Sequence, residues 1–170
     1  MIRAITDMKA ESASNIYVYD RDTEKLNAFA KETGVNVAVS SEEAVKASDI
    51  VFLAVKPNVI DNVCEEIKNN ISGKYIVSIA AGVTVSRMLN ILGEDTRIVR
   101  SIPNLPAMVG EGITGLFYYN FTEDDKMKAY IQQLFEAFGK TVTVGSEKMI
   151  DEMISVTSSS PAYFCLMIEA

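Results

Sequence analysis

Histidine is absent from this chain of 170 residues, and so is tryptophan. Without histidine the chain lacks the usual general acid or base for reducing a carbonyl, and it lacks the commonest metal ligand. No carboxylate or cysteine cluster takes over the second role, so no metal-binding residues are assigned. The two cysteines, Cys64 and Cys165, stand far apart in helical apolar patterns. They read as buried thiols, not as a disulfide or metal pair. No apolar run approaches the roughly 18 residues of a membrane span, and the N-terminus has no signal-peptide core. The expected location is a reducing cytoplasm. Positive charge is also scarce: 16 Lys and Arg against 23 Asp and Glu give a net charge of −7. With no basic block interleaved with aromatics, nucleic acid is not an expected partner.

What remains is an ordinary soluble composition, 48% hydrophobic and 23% charged. That is enough for one large domain, or for one domain and the start of another. The rhythm along the chain is short apolar strand, loop, amphipathic helix. Ile16 to Tyr19 reads as a strand, and Asp22 to Lys31 as a helix with Leu26, Phe29 and Ala30 on one face, stopped at Gly34. Val37 to Val39 reads as a short strand, and Ser40 with Glu43 as a capping box. Ile50 to Val55 and Tyr75 to Ile79 are continuous apolar runs, as in strands buried on both faces of a parallel sheet. Helices are expected at Asn58 to Lys68 and Val85 to Leu92, then strands at Arg97 to Ser101 and Gly115 to Tyr119. Thr122 is the expected cap of a long helix ending at Gly139, with a last strand from Lys140 to Val144. The alternation predicts an α/β fold: a Rossmann-like, doubly wound, mainly parallel sheet. From Glu147 to Ala170 the pattern is helical, interrupted at Ser158-Ser159-Ser160-Pro161. Residues 1–146 therefore read as a dinucleotide-binding domain and 147–170 as the start of a helical one.

Three consecutive strand exits have a composition that invites a ligand, since exits in a parallel sheet share the edge where ligands bind. The first is Ala54-Val55-Lys56-Pro57. Its small residues let a flat ring approach the backbone, while Lys56 can face a phosphate or solvent. The second, Ala80-Ala81-Gly82-Val83-Thr84, is either a tight turn capped by Thr84 or a close approach to a cofactor. The third runs from Ile102 to Gly112, with two prolines and two glycines in eleven residues. Within it Asn104, near Pro106, offers a donor and an acceptor on a stiff backbone, suited to orienting a carboxamide or an adjacent loop. Asp20-Arg21 follows the first strand. There an acid favours a free ribose 2′-hydroxyl and an arginine a 2′-phosphate, so the choice between NAD and NADP stays open. Ser158, Ser159, Ser160, Pro161 and Ala162 read as a helix break with serine caps, or as N–H and hydroxyl donors at a helix N-terminus for a carboxylate.

Taken in order, Val51-Phe52-Leu53-Ala54-Val55-Lys56-Pro57, Ile76-Val77-Ser78-Ile79-Ala80-Ala81-Gly82, Ile102-Pro103-Asn104-Leu105-Pro106-Ala107, Val109-Gly110-Glu111-Gly112 and Ser158 to Tyr163 resemble the pyrroline-5-carboxylate reductase family over essentially the whole chain. The resemblance implies an oxidoreductase of proline biosynthesis that passes a hydride from NAD(H) or NADP(H) to a cyclic imine. A protonated imine is already electrophilic, so a site without histidine suits it. By the same resemblance Asp20, Arg21, Ala54, Val55, Lys56, Pro57, Ala80, Ala81, Gly82, Asn104 and Pro106 serve the cofactor, and Ser158 to Ala162 approach the substrate carboxylate. No catalytic residue is assigned. Ser159 and Ser160 stand where the family usually has glycines. The family opens with a strand and a glycine-rich turn and closes with helices that form a homodimer or higher oligomer. Here Met1 to Met8 reads as the helix after that turn, and the helical pattern runs to Ala170 without a stop. The chain is therefore expected to be truncated at both ends, with an unfilled slot beside Ile16 to Tyr19 and little activity alone. Two alternatives stand beside this reading: a β-hydroxyacid or 6-phosphogluconate-type dehydrogenase, and an inactive or partner-dependent fragment of the reductase.

Overall fold

The computed structural model describes residues 1–122 and 125–169. Helices and strands alternate: α1 (Ile2–Asp7), β1 (Tyr17–Val18), α2 (Thr23–Thr33), β2 (Asn36–Val37), α3 (Ser41–Lys46), β3 (Ile50–Leu53), α4 (Ile60–Ile67), β4 (Tyr75–Ser78), α5 (Val85–Leu92) and β5 (Arg97–Ile102). There follow β6 (Gly112–Tyr119), α6 (Lys126–Glu136), β7 (Gly139–Thr143), α7 (Glu147–Met153) and α8 (Ser160–Glu169). Local chemistry starts and stops these elements where the sequence predicts. Gly34 takes a left-handed φ of 77° and its N–H closes α2 on the Ala30 carbonyl at 2.8 Å. Ser40 Oγ accepts the Glu43 N–H at 3.1 Å, and the Glu43 carboxylate reaches back to the Val39 N–H at 2.6 Å. Thr84 Oγ1 caps α5 by accepting the Arg87 N–H at 3.2 Å.

Five strands share one sheet in the order β3-β4-β5-β6-β7. β3, β4 and β5 run parallel, β6 runs antiparallel to β5, and β7 parallel to β6. Strands covered on both faces need apolar residues at successive positions. Ile76 and Ile98 accordingly pack with Ile60 and Cys64 of α4 and Met88 of α5, while Val77 and Val99 pack with Ile5 of α1 and Ile131 and Phe135 of α6. A third, smaller cluster of Ile102, Val144 and Ile150 seats α7 against the end of the sheet.

β1 and β2 form a separate parallel pair and join no other strand among the described residues. The single sheet expected from Ile16 to Val144 is thus two. The expected slot is present: a cavity of about 1400 Å³ lies between β1 and β3, reached by Tyr17, Tyr19, Ile50, Phe52, Leu26 and Tyr130. Ile16 and Val18 accept N–H groups from Asn36 and Ala38 of the β2 side. Backbone groups alternate along a strand, so Tyr17 and Tyr19 turn theirs to the slot. On the facing wall Asp49 and Leu53 serve β4, which leaves Ile50 and Phe52 turned the same way.

Several local expectations are corrected. Asp125, not Thr122, caps α6, its carboxylate accepting the Met127 N–H at 2.9 Å. That helix ends at Glu136, and Gly139 opens β7 because its backbone lies against Gly112 too closely for any side chain. β6 starts at Gly112, three residues early, since pairing of Gly112 with Gly139 draws the end of the glycine loop into the sheet. Cys64 is buried but Cys165 is exposed, because α8 is apolar all round and, among the described residues, no element covers it. Ser158 to Pro161 do not break the helix; a π-helical turn, Ile154–Ser159, carries α7 into α8.

Candidate functional site

The parallel register sets Leu53 beside Ser78 and Ser78 beside Arg100, so the chain leaves β3, β4 and β5 on the same edge of the sheet. All three predicted exits therefore share one edge, Asn104 with Lys56 and Ala80. Ser78 and Ser101, buried in adjacent strands, hold the last two together. Ser101 Oγ donates to the Ser78 carbonyl at 2.9 Å, and Ser78 Oγ accepts the Ala80 N–H at 3.3 Å. Ala80 is buried and starts the turn; Ala81 and Gly82 are exposed, and Gly82 takes a φ of 72° that a residue without Cβ accommodates. Ala54, Lys56 and Pro57 are exposed and Val55 half-buried. Small residues at these exits leave the backbone open to a flat ligand, so the residues present fit a nicotinamide-type group.

Asp20 and Arg21 stand at the end of β1 and, with Ala54, Val55 and Lys56, line the slot. Asp20 Oδ1 accepts the Asp22 N–H at 2.9 Å, and the helix cap is Asp22, which accepts the Lys25 N–H at 3.0 Å. Arg21 pairs loosely with Glu66 at 3.7 Å, with both side chains exposed. The predicted residues thus fall into two groups. One surrounds the slot; the other, made of Ala80 to Gly82, Asn104 and the serine turn, lies farther along the edge.

Asn104 joins the loop after β5 to the turn after α7. Its Nδ2 donates to the Thr157 carbonyl at 3.0 Å, and its Oδ1 accepts the Ile113 N–H at 2.9 Å. The first bond has a cause in the sequence. Pro161 has no N–H to give the carbonyl four residues back, Thr157, and Asn104 takes that acceptor. Pro106 sits in a short helical turn, Leu105–Val109, and its carbonyl accepts the Glu111 N–H at 3.1 Å, closing the loop on itself. Within the π-helical turn Thr157 Oγ1 returns to the Met153 carbonyl at 2.9 Å and Ser160 Oγ to the Ser155 carbonyl at 3.2 Å. Ser158 is exposed, as is Ala162. Because the helix is continuous, this segment presents no free helix N-terminus; π-turns of this sort gather at functional sites.

Sequence reasoning missed Arg100. It lies in β5 with its side chain 2% exposed and donates to Glu147 Oε1 at 2.9 Å and to the Asp151 carboxylate at 2.5 Å. The same Glu147 oxygen accepts the Val85 N–H at 2.7 Å. An arginine inside an apolar strand, with two carboxylates four residues apart on a later helix, was the available signal. Cys64 carries no chemistry here: burial pushes its thiol up to about 11, so it stays protonated. Among the described residues no helix is long and apolar enough to cross a membrane.

Comparison with known proteins shows what the chain as a whole is similar to. Residues 1–82 match the family model described as NADP oxidoreductase coenzyme F420-dependent. A pyrroline-5-carboxylate reductase of Escherichia coli is 36% identical over 156 residues, covering 91% of this chain and 57% of that enzyme. The structure of a pyrroline-5-carboxylate reductase from Coxiella burnetii superposes with a TM-score of 0.92 at 33% identity, covering 99% of this chain and 62% of that one. The pyrroline carboxylate reductase of Plasmodium falciparum, solved with NADP bound, superposes at 0.75 with 26% identity, covering 99% and 62%. The chain spans 57% to 62% of the length of these proteins. A prephenate dehydrogenase at 16% identity and a TM-score of 0.71 shares the fold alone. In sequence and in its Rossmann-like fold, the chain is a relative of the pyrroline-5-carboxylate reductases.

Proposed function

We propose that this chain carries the nicotinamide-cofactor part of an enzyme that reduces 1-pyrroline-5-carboxylate to proline with NAD(P)H. The observation that carries the reading is the shared edge of three parallel strands, where small-residue exits adjoin an asparagine tied to the serine turn. Ala54 to Pro57 and Ala80 to Gly82 would hold the cofactor, with Asp20 and Arg21 toward its ribose and Asn104 and Pro106 near the nicotinamide. Ser158 to Ala162 would meet the substrate carboxylate. The bound cofactor would supply the hydride. The protein's part is to hold the imine ring against it, and positioning of that kind accounts for large rate effects without a side-chain acid or base. The exposed apolar residues of α8, including Phe164, Leu166 and Ile168, support a homo-oligomer, and we place the protein in the cytoplasm.

A steady-state assay with pyrroline-5-carboxylate and each cofactor, beside direct NADPH binding by fluorescence, tests this. The expected result is binding of NADPH or NADH, with cofactor oxidation that depends on the imine. Failure to bind either cofactor would overturn the reading. The open slot between β1 and β3 favours a second element of the proposal: the 170-residue chain alone binds weakly and turns over slowly. Turnover near the ordinary enzyme value of about 10 per second would contradict that element.

A further inference from the structure

We propose that Arg100 is a positioning residue for this site, acting through Glu147 and Asp151 to set the strand exits against the α7–α8 helix. The inference rests on the reading above for its functional consequence, though its geometry stands alone. A guanidinium 2% exposed in the middle of a sheet is costly unless it is paired and hydrogen-bonded. Its fork serves two carboxylates one helical turn apart on α7, Glu147 at 2.9 Å and Asp151 at 2.5 Å. Glu147 passes the constraint on, because its Oε1 also accepts the Val85 N–H at 2.7 Å. Val85 is the first residue of α5 and follows the Ala80 to Thr84 exit, so its N–H has no partner within its own helix.

Through one side chain, then, three segments are held. Arg100 itself stands two residues before the end of β5, which leads into the Asn104 loop. Glu147 fixes the start of α5 after the second exit. Asp151 fixes α7, which runs by the π-helical turn to Thr157, the acceptor of Asn104. Loss of Arg100 leaves two carboxylates facing each other beside apolar Ile102 and Ile150, and α7 is freed to shift. The effect reaches Val85 and Ile113, to neither of which the Arg100 side chain is hydrogen-bonded, whereas Ile76, Val77 and Val99 are held by the sheet ladder regardless.

Amide hydrogen exchange on the 170-residue chain and its R100M variant, with E147A and E147Q beside it, tests the proposal. In R100M exchange should rise about tenfold at both Val85 and Ile113, with Ile76, Val77 and Val99 close to the parent protein. E147A should release Val85 alike, while E147Q, whose amide oxygen still accepts, should restore it. Unchanged Val85 and Ile113 in R100M would overturn the proposal, and so would equal loosening at Ile76, Val77 and Val99, which marks a general loss of stability. If R100M does not fold, E147A, E147Q and D151A decide it: Val85 must loosen in E147A and recover in E147Q, and Ile113 must loosen in D151A, whose lost carboxylate is the one that holds α7; failure of either overturns the proposal. NADPH affinity is measured on the same proteins, with about a tenfold loss expected in R100M. A parent protein that binds no cofactor defeats the functional reading while the exchange pattern still decides the clamp.

Discussion

The five-stranded sheet and the β1–β2 pair are made of similar apolar strands, yet they are held by different means. In β3 to β7 each interior strand has neighbours on both sides and helices over both faces, so Ile76, Val77, Ile98 and Val99 are wholly buried. The β1–β2 pair has one ladder of two residues on each side, and its outer edge faces a cavity. Tyr17, Tyr19 and Val37 are each about 40% exposed as a result. It is tied to the rest by helix contacts and side chains such as Glu11, which accepts from Tyr130 of α6. A strand without neighbours on both sides keeps its direction but not its cooperativity.

Glycine substitutions give the sharpest test of that difference. A Cβ on Gly139 would lie 2.1 Å from the Gly112 carbonyl oxygen, at a φ of 150°, where β7 meets β6. Backbone on backbone cannot yield, so G139A should cost about 3 kcal/mol or more. Gly34, at a φ of 77°, has Ala13 Cβ at an ordinary 3.8 Å. G34A there should cost about 1 kcal/mol, the left-handed conformation alone. Urea denaturation of both variants checks the order, and a larger loss in G34A would show that the β1–β2 pair is as well integrated as the sheet.

The same contrast explains what was legible in the sequence. Ile50 to Leu53 and Tyr75 to Ser78 announced themselves because burial on both faces demands uninterrupted apolar runs. Caps at Ser40 and Thr84 were legible because they are settled within four residues. The end of α6 and the start of β6 were not, since both follow from the close approach of Gly112 and Gly139, far apart in sequence. The strand exits could be named from small residues and prolines. The partner of Asn104 could not, because it arises when Pro161, 57 positions on, leaves the Thr157 carbonyl free. Arg100 showed only as a charge inside an apolar strand; its pairing with the carboxylates of α7 could not be read, because spacing within β5 says nothing of them.

Exchange at β3 sharpens the comparison from the boundary between the two regions. The carbonyls of Asp49 and Leu53 accept from Tyr75 and Ile79 on the β4 side, so the alternation assigns the Val51 and Leu53 amides to the ladder and those of Ile50 and Phe52 to the slot. Exchange at Ile50 and Phe52 should exceed that at Val51 and Leu53 by about tenfold or more. Equal protection at all four would mean that the slot closes in solution, and the contrast between the regions would weaken.

The smallest effect concerns the polar tie across the slot. Glu11 is held below its ordinary value first by the Tyr130 hydroxyl and then by the Ser12 N–H and the Asn15 amide. Tyr130 is pushed up to about 12, first by burial and then by its bond to Glu11. A carboxylate depressed on folding stabilises the protein fully above its unfolded pKa, near 4.3, and loses that contribution as pH falls through the folded value. The tyrosine acts in the other direction, contributing below pH 10 and losing its contribution as pH rises through about 12. Between these limits the tie is intact. Glu11 is partly exposed, so solvent screening keeps the contribution under about 1 kcal/mol. Y130F removes the donor and leaves the ring. It should lower stability by that amount at pH 6 and approach the parent protein as pH falls toward 3, measured by urea unfolding at each pH. A difference that stayed constant from pH 6 to 3 would show that the hydroxyl serves the neutral carboxyl as well as the carboxylate, and that the β1–β2 region is tied down without charge.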